Sequence, residues 1–243
     1  MNLISPRTYI CLMIAIHAVL AGQHTARADG GIIDKVYHPY VQPLERELEL
    51  RASLEDGSNT LSDDRQTWRL GYGMAFNDKW FGEAYLIGRK DSMDSFRLSA
   101  YELEALWQIT EQGEYAADWG MLFEIEAADS PDVMDISGTL LIEKEWLQWT
   151  GTANLKTSYE FGDDIADEFE TALALQVRYR LSRSLEPALE FYSAENILGA
   201  GPVIMGSQRF GRGRQLHWEA GMIAGMQSDT PDRTFRLLME YEF

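Results

Sequence analysis

His217 stands two positions before Glu219, and a histidine beside a carboxylate is what general-base catalysis or a metal site would use. Neither chemistry is complete at that spot. No serine adjoins the pair, although Ser207 and Ser228 could approach it in space. Acyl transfer needs a nucleophile, a base and an orienting group together. Two ligands at i and i+2 do not make a coordination shell either. The acid pairs Asp163-Asp164 and Asp167-Glu168 have the oxygen chemistry of hard-cation ligands. They lack the spacing of a calcium loop, so solvated charge explains them better. No catalytic, cofactor-binding or metal residue is assigned, and no cofactor is expected.

What the charged residues do have is a period of two, the signature of one face of a β-strand. Over 44–54, Glu45, Glu47, Glu49 and Arg51 oppose Leu44, Leu48, Leu50, Ala52 and Leu54, with Arg46 interrupting the apolar face. Over 67–76, Arg69, Gly71 and Gly73 oppose Trp68, Leu70 and Tyr72. The stretch 79–89 is less regular, with apolar groups on both faces. Over 95–109, Arg97 opposes Phe96 and Leu98, the phase slips near Ala100, and Glu102 and Glu104 then oppose Tyr101 and Leu103. A β-bulge would produce that slip. Glu124 and Glu126 mark one face of 114–127, a sixth strand covers 135–143, and Lys156 belongs to 149–161. Glu170, Arg178 and Arg180 share a face of 168–181, Glu190 falls in 185–192 and Arg209 in a Gly-rich 201–210. His217 and Glu219 oppose Leu216 and Trp218, and Arg236 and Glu240 oppose Phe235, Leu237 and Met239 in 234–243. That makes twelve strands, and the fold class is all-β.

The connections alternate as well. Those after odd strands are longer and acidic, such as E-D-G-S-N-T-L-S-D-D, whereas those after even strands are mostly shorter, such as N-D-K and S-R-S. The partly apolar K-E-W-L-Q-W is an exception. Trp80, Trp146, Trp149 and Trp218 fall near strand ends, where an aromatic girdle would sit. A soluble β-sandwich would share the alternation and the turns.

Residues 1–28 have the layout of a cleaved signal peptide: Arg7, an apolar core from Tyr9 to Ala21, and Ala26-Arg27-Ala28. About 13 apolar residues are too few for a spanning helix, which needs roughly 20. Cys11, the chain's one cysteine, lies in that leader, so the remainder excludes a disulfide framework, a thiol nucleophile and a Cys-ligated zinc. Losing Arg7 and Arg27 with the leader takes the formal charge from −18 to −20. Nucleic acid needs a basic stripe, and that balance argues against it as a partner.

The chain closes on T-F-R-L-L-M-E-Y-E-F, with Phe243 two residues after Tyr241. This resembles the C-terminal assembly signal of Gram-negative outer-membrane β-barrel proteins. The resemblance covers residues 44–243 and implies an up-and-down antiparallel transmembrane barrel in the bacterial outer membrane. Outer-membrane lipid and the barrel assembly machinery would be its partners. The charged faces would then line the lumen, while residues 29–43 precede the barrel as a plug or a periplasmic lead. A narrow, cation-preferring channel for small polar or cationic solutes is the expected function. A non-conducting structural barrel with a charge-paired lumen is the alternative, and a lipid-modifying enzyme the third.

Overall fold

The computed structural model describes residues 31–57, 65–90, 95–129, 133–163, 165–211 and 213–243. The leader expected over 1–28 lies outside the described residues. Among the described residues the chain forms twelve strands. These are β1 (Arg46–Asp56), β2 (Gln66–Ala75), β3 (Trp80–Lys90), β4 (Arg97–Gln108), β5 (Asp118–Ala128) and β6 (Val133–Trp146), followed by β7 (Trp149–Gly162), β8 (Glu168–Tyr179), β9 (Glu186–Ser193), β10 (Leu198–Arg209), β11 (Gln215–Gly225) and β12 (Arg233–Glu242). Each pairs antiparallel with the next, and β1 pairs with β12, closing an up-and-down barrel. Closure leaves no strand edge unpaired, the condition a sheet must meet where no water can satisfy its backbone.

Alternation alone fits either a sandwich or a barrel; burial separates them. In β1, Glu47, Glu49 and Arg51 are 6, 0 and 3 % exposed, whereas Leu48 is 48 % exposed. Water would drive the leucines inward and the carboxylates outward. The outer wall of Leu70, Leu86, Leu103, Phe123 and Leu155 has the chemistry of a lipid-facing surface. Aromatics gather at the end of the barrel where β1 begins and β12 stops. Trp80 stacks on Trp107 with centroids 5.6 Å apart, and Trp149 meets Tyr179 at 4.9 Å. Tyr241 and Phe243 stack at 6.0 Å, and the Phe243 N–H donates to the Arg46 carbonyl at 2.9 Å across the closing seam.

The phase slip in β4 is a real irregularity. Ile87 pairs with Ala100 and Gly88 with Leu98, so Ser99 is the extra residue. Three expected boundaries need correction. Residues 114–117 form bends rather than the start of β5. β8 stops at Tyr179, which puts Arg180 beyond the wall. K-E-W-L-Q-W is mostly strand, because β6 continues to Trp146 and turns through Leu147 and Gln148 alone. Leu147 adopts φ 58°, the left-handed backbone a two-residue hairpin demands.

Candidate functional site

Of residues 31–43, those up to Val41 lie inside the barrel as a plug, held by side chains from strands all round the wall, while Gln42 and Pro43 are exposed. Asp34 accepts from Arg51 Nη1 at 2.6 Å, and Lys35 Nζ reaches Glu49 at 2.8 Å and Glu240 at 2.6 Å. Asn154 brackets the Tyr37 backbone, accepting its N–H at 2.7 Å and donating to its carbonyl at 2.9 Å. The Tyr37 hydroxyl donates to Glu104 at 2.8 Å, and Tyr40 donates to Asp118 at 2.7 Å. His38 Nδ1 meets Glu143 at 2.5 Å, and the Val41 N–H donates to Gln108 at 2.8 Å. On one side the contact is apolar: Ile33 and Val36 pack against Tyr192, Ile197, Val203, Met205 and Ile223. This is why β10 carries apolar residues on its inner face as well as its outer one.

Among the described residues a cavity lies on either side of the plug, with Lys35 and Tyr37 lining both. The cavity at the end holding the β1 start has a volume of about 330 Å³. Glu45, Glu47, Glu104, Arg178, His217 and Glu240 line it. The far cavity has a volume of about 190 Å³ and takes Arg69, Glu102, Glu124, Glu126, Lys156 and Glu170. Five further expected lumen residues are buried in ion pairs. Arg51 joins Asp34 and Glu49, and Arg236 joins Glu190 and Glu219. The other three expected inward residues sit at the rims. Arg97 is exposed at the start of β4, Arg180 bonds Glu145 and the Leu147 carbonyl, and Arg209 bonds Gln215. Each flanks a strand end, where alternation no longer forces a side chain inward.

Register arranges the acids further. Reading across the sheet, Glu242 pairs with Glu47, Glu47 with Gly73, Gly73 with Glu83, Glu83 with Glu104, and Glu104 with Glu124. The row continues through Ser137 and Ser158 to Glu170. It begins in the near cavity and ends in the far one. Basic partners are distributed unevenly along the row and beside it. Arg69 Nη1 holds both Glu102 oxygens, at 2.7 and 2.6 Å, and Lys156 reaches Glu124 at 3.1 Å. The Lys35 ammonium is pulled down by burial, yet Glu240 and Glu49 keep its pKa well above the usual lysine value. Glu45 stands just outside β1, where burial and neighbouring Glu242 push it up to about 7.

Glu83 and Glu143 escaped the sequence reading. Strand parity alone would place Glu143 inward, but Glu83 sits in the strand whose two faces are both apolar. Ser207 does approach His217. Its Oγ lies 3.1 Å from Nδ1, and Nε2 lies 3.3 Å from Glu219. Ser228 bonds Asp229 instead. The Ser207 N–H is already given to the Arg183 carbonyl, so it is not free to hold an oxyanion. Two carboxylate triads have oxygens close enough to share a cation: Glu47, Glu49 and Glu83, and Glu102, Glu104 and Glu124.

No family model matches the chain, and no curated protein matches it in sequence. Solved structures do resemble it. The KdgM porin in complex with disordered oligogalacturonate aligns at TM-score 0.55 and 12 % identity, over 81 % of this chain and 99 % of that one. An outer membrane channel from Pseudomonas putida F1 aligns at TM-score 0.54 and 11 % identity, over 89 % of this chain and 99 % of that one. The fold is that of bacterial outer-membrane β-barrels.

Proposed function

We propose that the protein is an outer-membrane channel that passes small polar solutes, cations in preference, past the plug. The observation that carries this reading is the registered carboxylate row running from one cavity to the other. Rings and rows of carboxylate select cations because a permeating cation replaces lost hydration with fixed negative charge. A lumen excess of acid would exclude anions by the same field. That a porin and an outer membrane channel share the fold supports a channel role. The leader-like residues 1–28 and the lipid-type outer wall support export to the outer membrane, with the assembly machinery and lipid as partners.

The plug favours a second reading. Lys35 and Tyr37 stand between the two cavities with buried partners, as they would in a non-conducting structural barrel. Planar-bilayer recording separates the two. An ohmic current whose reversal potential in a salt gradient shifts toward the cation potential is the expected result. Persistent silence of the folded protein assigns it to the structural class. A lipid-modifying role would require lipid hydrolysis that disappears in His217→Ala.

A further inference from the structure

We propose that Glu47, Glu49 and Glu83 form a binding site for a hard divalent cation of calcium size, at the wall of the near cavity, which Glu47 and Glu83 line and beside which Glu49 is fully buried. One oxygen from each carboxylate lies within 4.8 Å of the others. Calcium takes oxygen ligands at about 2.3–2.6 Å, so ligands on opposite sides of one ion stand about 4.6–5.2 Å apart. The three oxygens therefore span one coordination sphere of that size.

The sequence makes room for this arrangement. Glu47 and Glu83 sit on β1 and β3, and the residue paired between them on β2 is Gly73. A Cβ at position 73 would stand 2.5 Å from the Phe81 ring and 2.7 Å from Glu83 Cγ, so the missing side chain is what lets both Phe81 and Glu83 reach across β2. Charge then gives the site its purpose. Glu49 is satisfied by Lys35 and Arg51. Neither Glu47 nor Glu83 has an ion-pair partner among the described residues, although they are only 6 and 9 % exposed. Tyr85 is the one side chain that bears on Glu83 as a hydrogen-bond partner, and the buried Glu83 Oε1 atom has none among the described residues. Lys35 acts on both carboxylates but is already bonded to Glu49 and Glu240. Buried carboxylates short of counter-charge are costly, and a cation between these two relieves both at once. The second triad also holds an orphaned oxygen, Glu104 Oε2, but it has less need of an ion because Arg69, Lys156 and the Tyr37 hydroxyl bond its three carboxylates. Water in the near cavity would complete the shell.

The site lies in the acidic row on which the channel reading rests, but binding there does not require conduction. The test is titration of calcium chloride into the refolded full chain in detergent, followed by calorimetry and by the shift in thermal unfolding. One saturable site per chain is expected, with Glu47→Gln and Glu83→Gln each weakening it about tenfold or more, as ligand charge sets affinity in such sites. Gly73→Ala should weaken it while keeping all three carboxylates. Circular dichroism verifies that each variant is folded, which removal of a repelling charge favours. No saturable binding in the wild-type chain overturns the assignment, as does binding that survives both glutamine variants or is lost only in Glu104→Gln. Conductance is recorded separately. A silent barrel that binds calcium sinks the channel reading and keeps the site, whereas a conducting barrel that ignores calcium sinks the site alone.

Discussion

Arg236 shows how much single charges matter in this lumen. Its guanidinium lies between Glu190 and Glu219, and all three side chains are at most 3 % exposed. Replacing it by methionine keeps the bulk and strands two buried carboxylates, which costs about 3–5 kcal/mol when one partner of a buried pair is removed. The urea midpoint of Arg236→Met in detergent should fall accordingly, and adding Glu190→Gln should recover part of the loss. Glu45 offers a test by pH. Its folded pKa of about 7 lies above the ordinary 4.5, so the folded state holds the proton more tightly. The stability this gives is fully present below pH 4.5 and is lost as pH rises through 7. Glu45→Gln should therefore raise stability at pH 8 relative to wild type and change it little at pH 4. An equal effect at both values would mean that Glu45 is not the titrating group.

Among the elements, the strands act as spacers as much as walls. The near-cavity acids meet only because β2 offers glycine between β1 and β3, and the plug seats where β5 does the same. Pro39 packs on Gly120, where a Cβ would stand 2.8 Å from the proline Cβ and 3.0 Å from its Cα. The backbone there is pinned by hydrogen bonds at Val41 and Tyr37, so the proline cannot retreat cheaply. Gly120→Ala should cost about 1–3 kcal/mol through overpacking. Thermal unfolding measures it, and a loss well below that range would show the plug to be loosely held.

For the whole molecule, the plug decides what the barrel can do. Twelve strands enclose more space than side chains fill, being wider than the packed eight-stranded kind. Residues 31–41 occupy part of that surplus and leave a cavity on either side, with Lys35 and Tyr37 lining both. Tyr37→Ala removes a ring from the waist while keeping the backbone bonds to Asn154. Single-channel conductance should rise in that variant without loss of cation preference, since the carboxylate row stays in place. An unchanged conductance would show that ions do not pass the waist, or that another constriction limits them.

The strand count, the inward acids and the bulge near Ala100 were legible in the sequence, because a strand's period of two is a local property that any charged and apolar pattern displays. Parity is decisive where the two faces differ chemically, as in β1 or β12. It fails in β3, where Phe81, Tyr85 and Ile87 are buried inside, and in β10, where Val203 and Met205 face the plug. The rims defeated it too, since Arg97, Arg180 and Arg209 are freed from the wall's geometry. Tertiary structure alone decided that the lead threads the lumen, since Lys35 meets Glu240 across 205 positions of chain. It alone aligned Glu47, Glu83, Glu104 and Glu124 in one row. Register between strands is set by closure of the cylinder and by the fit of the plug, and neither is a property of any one segment.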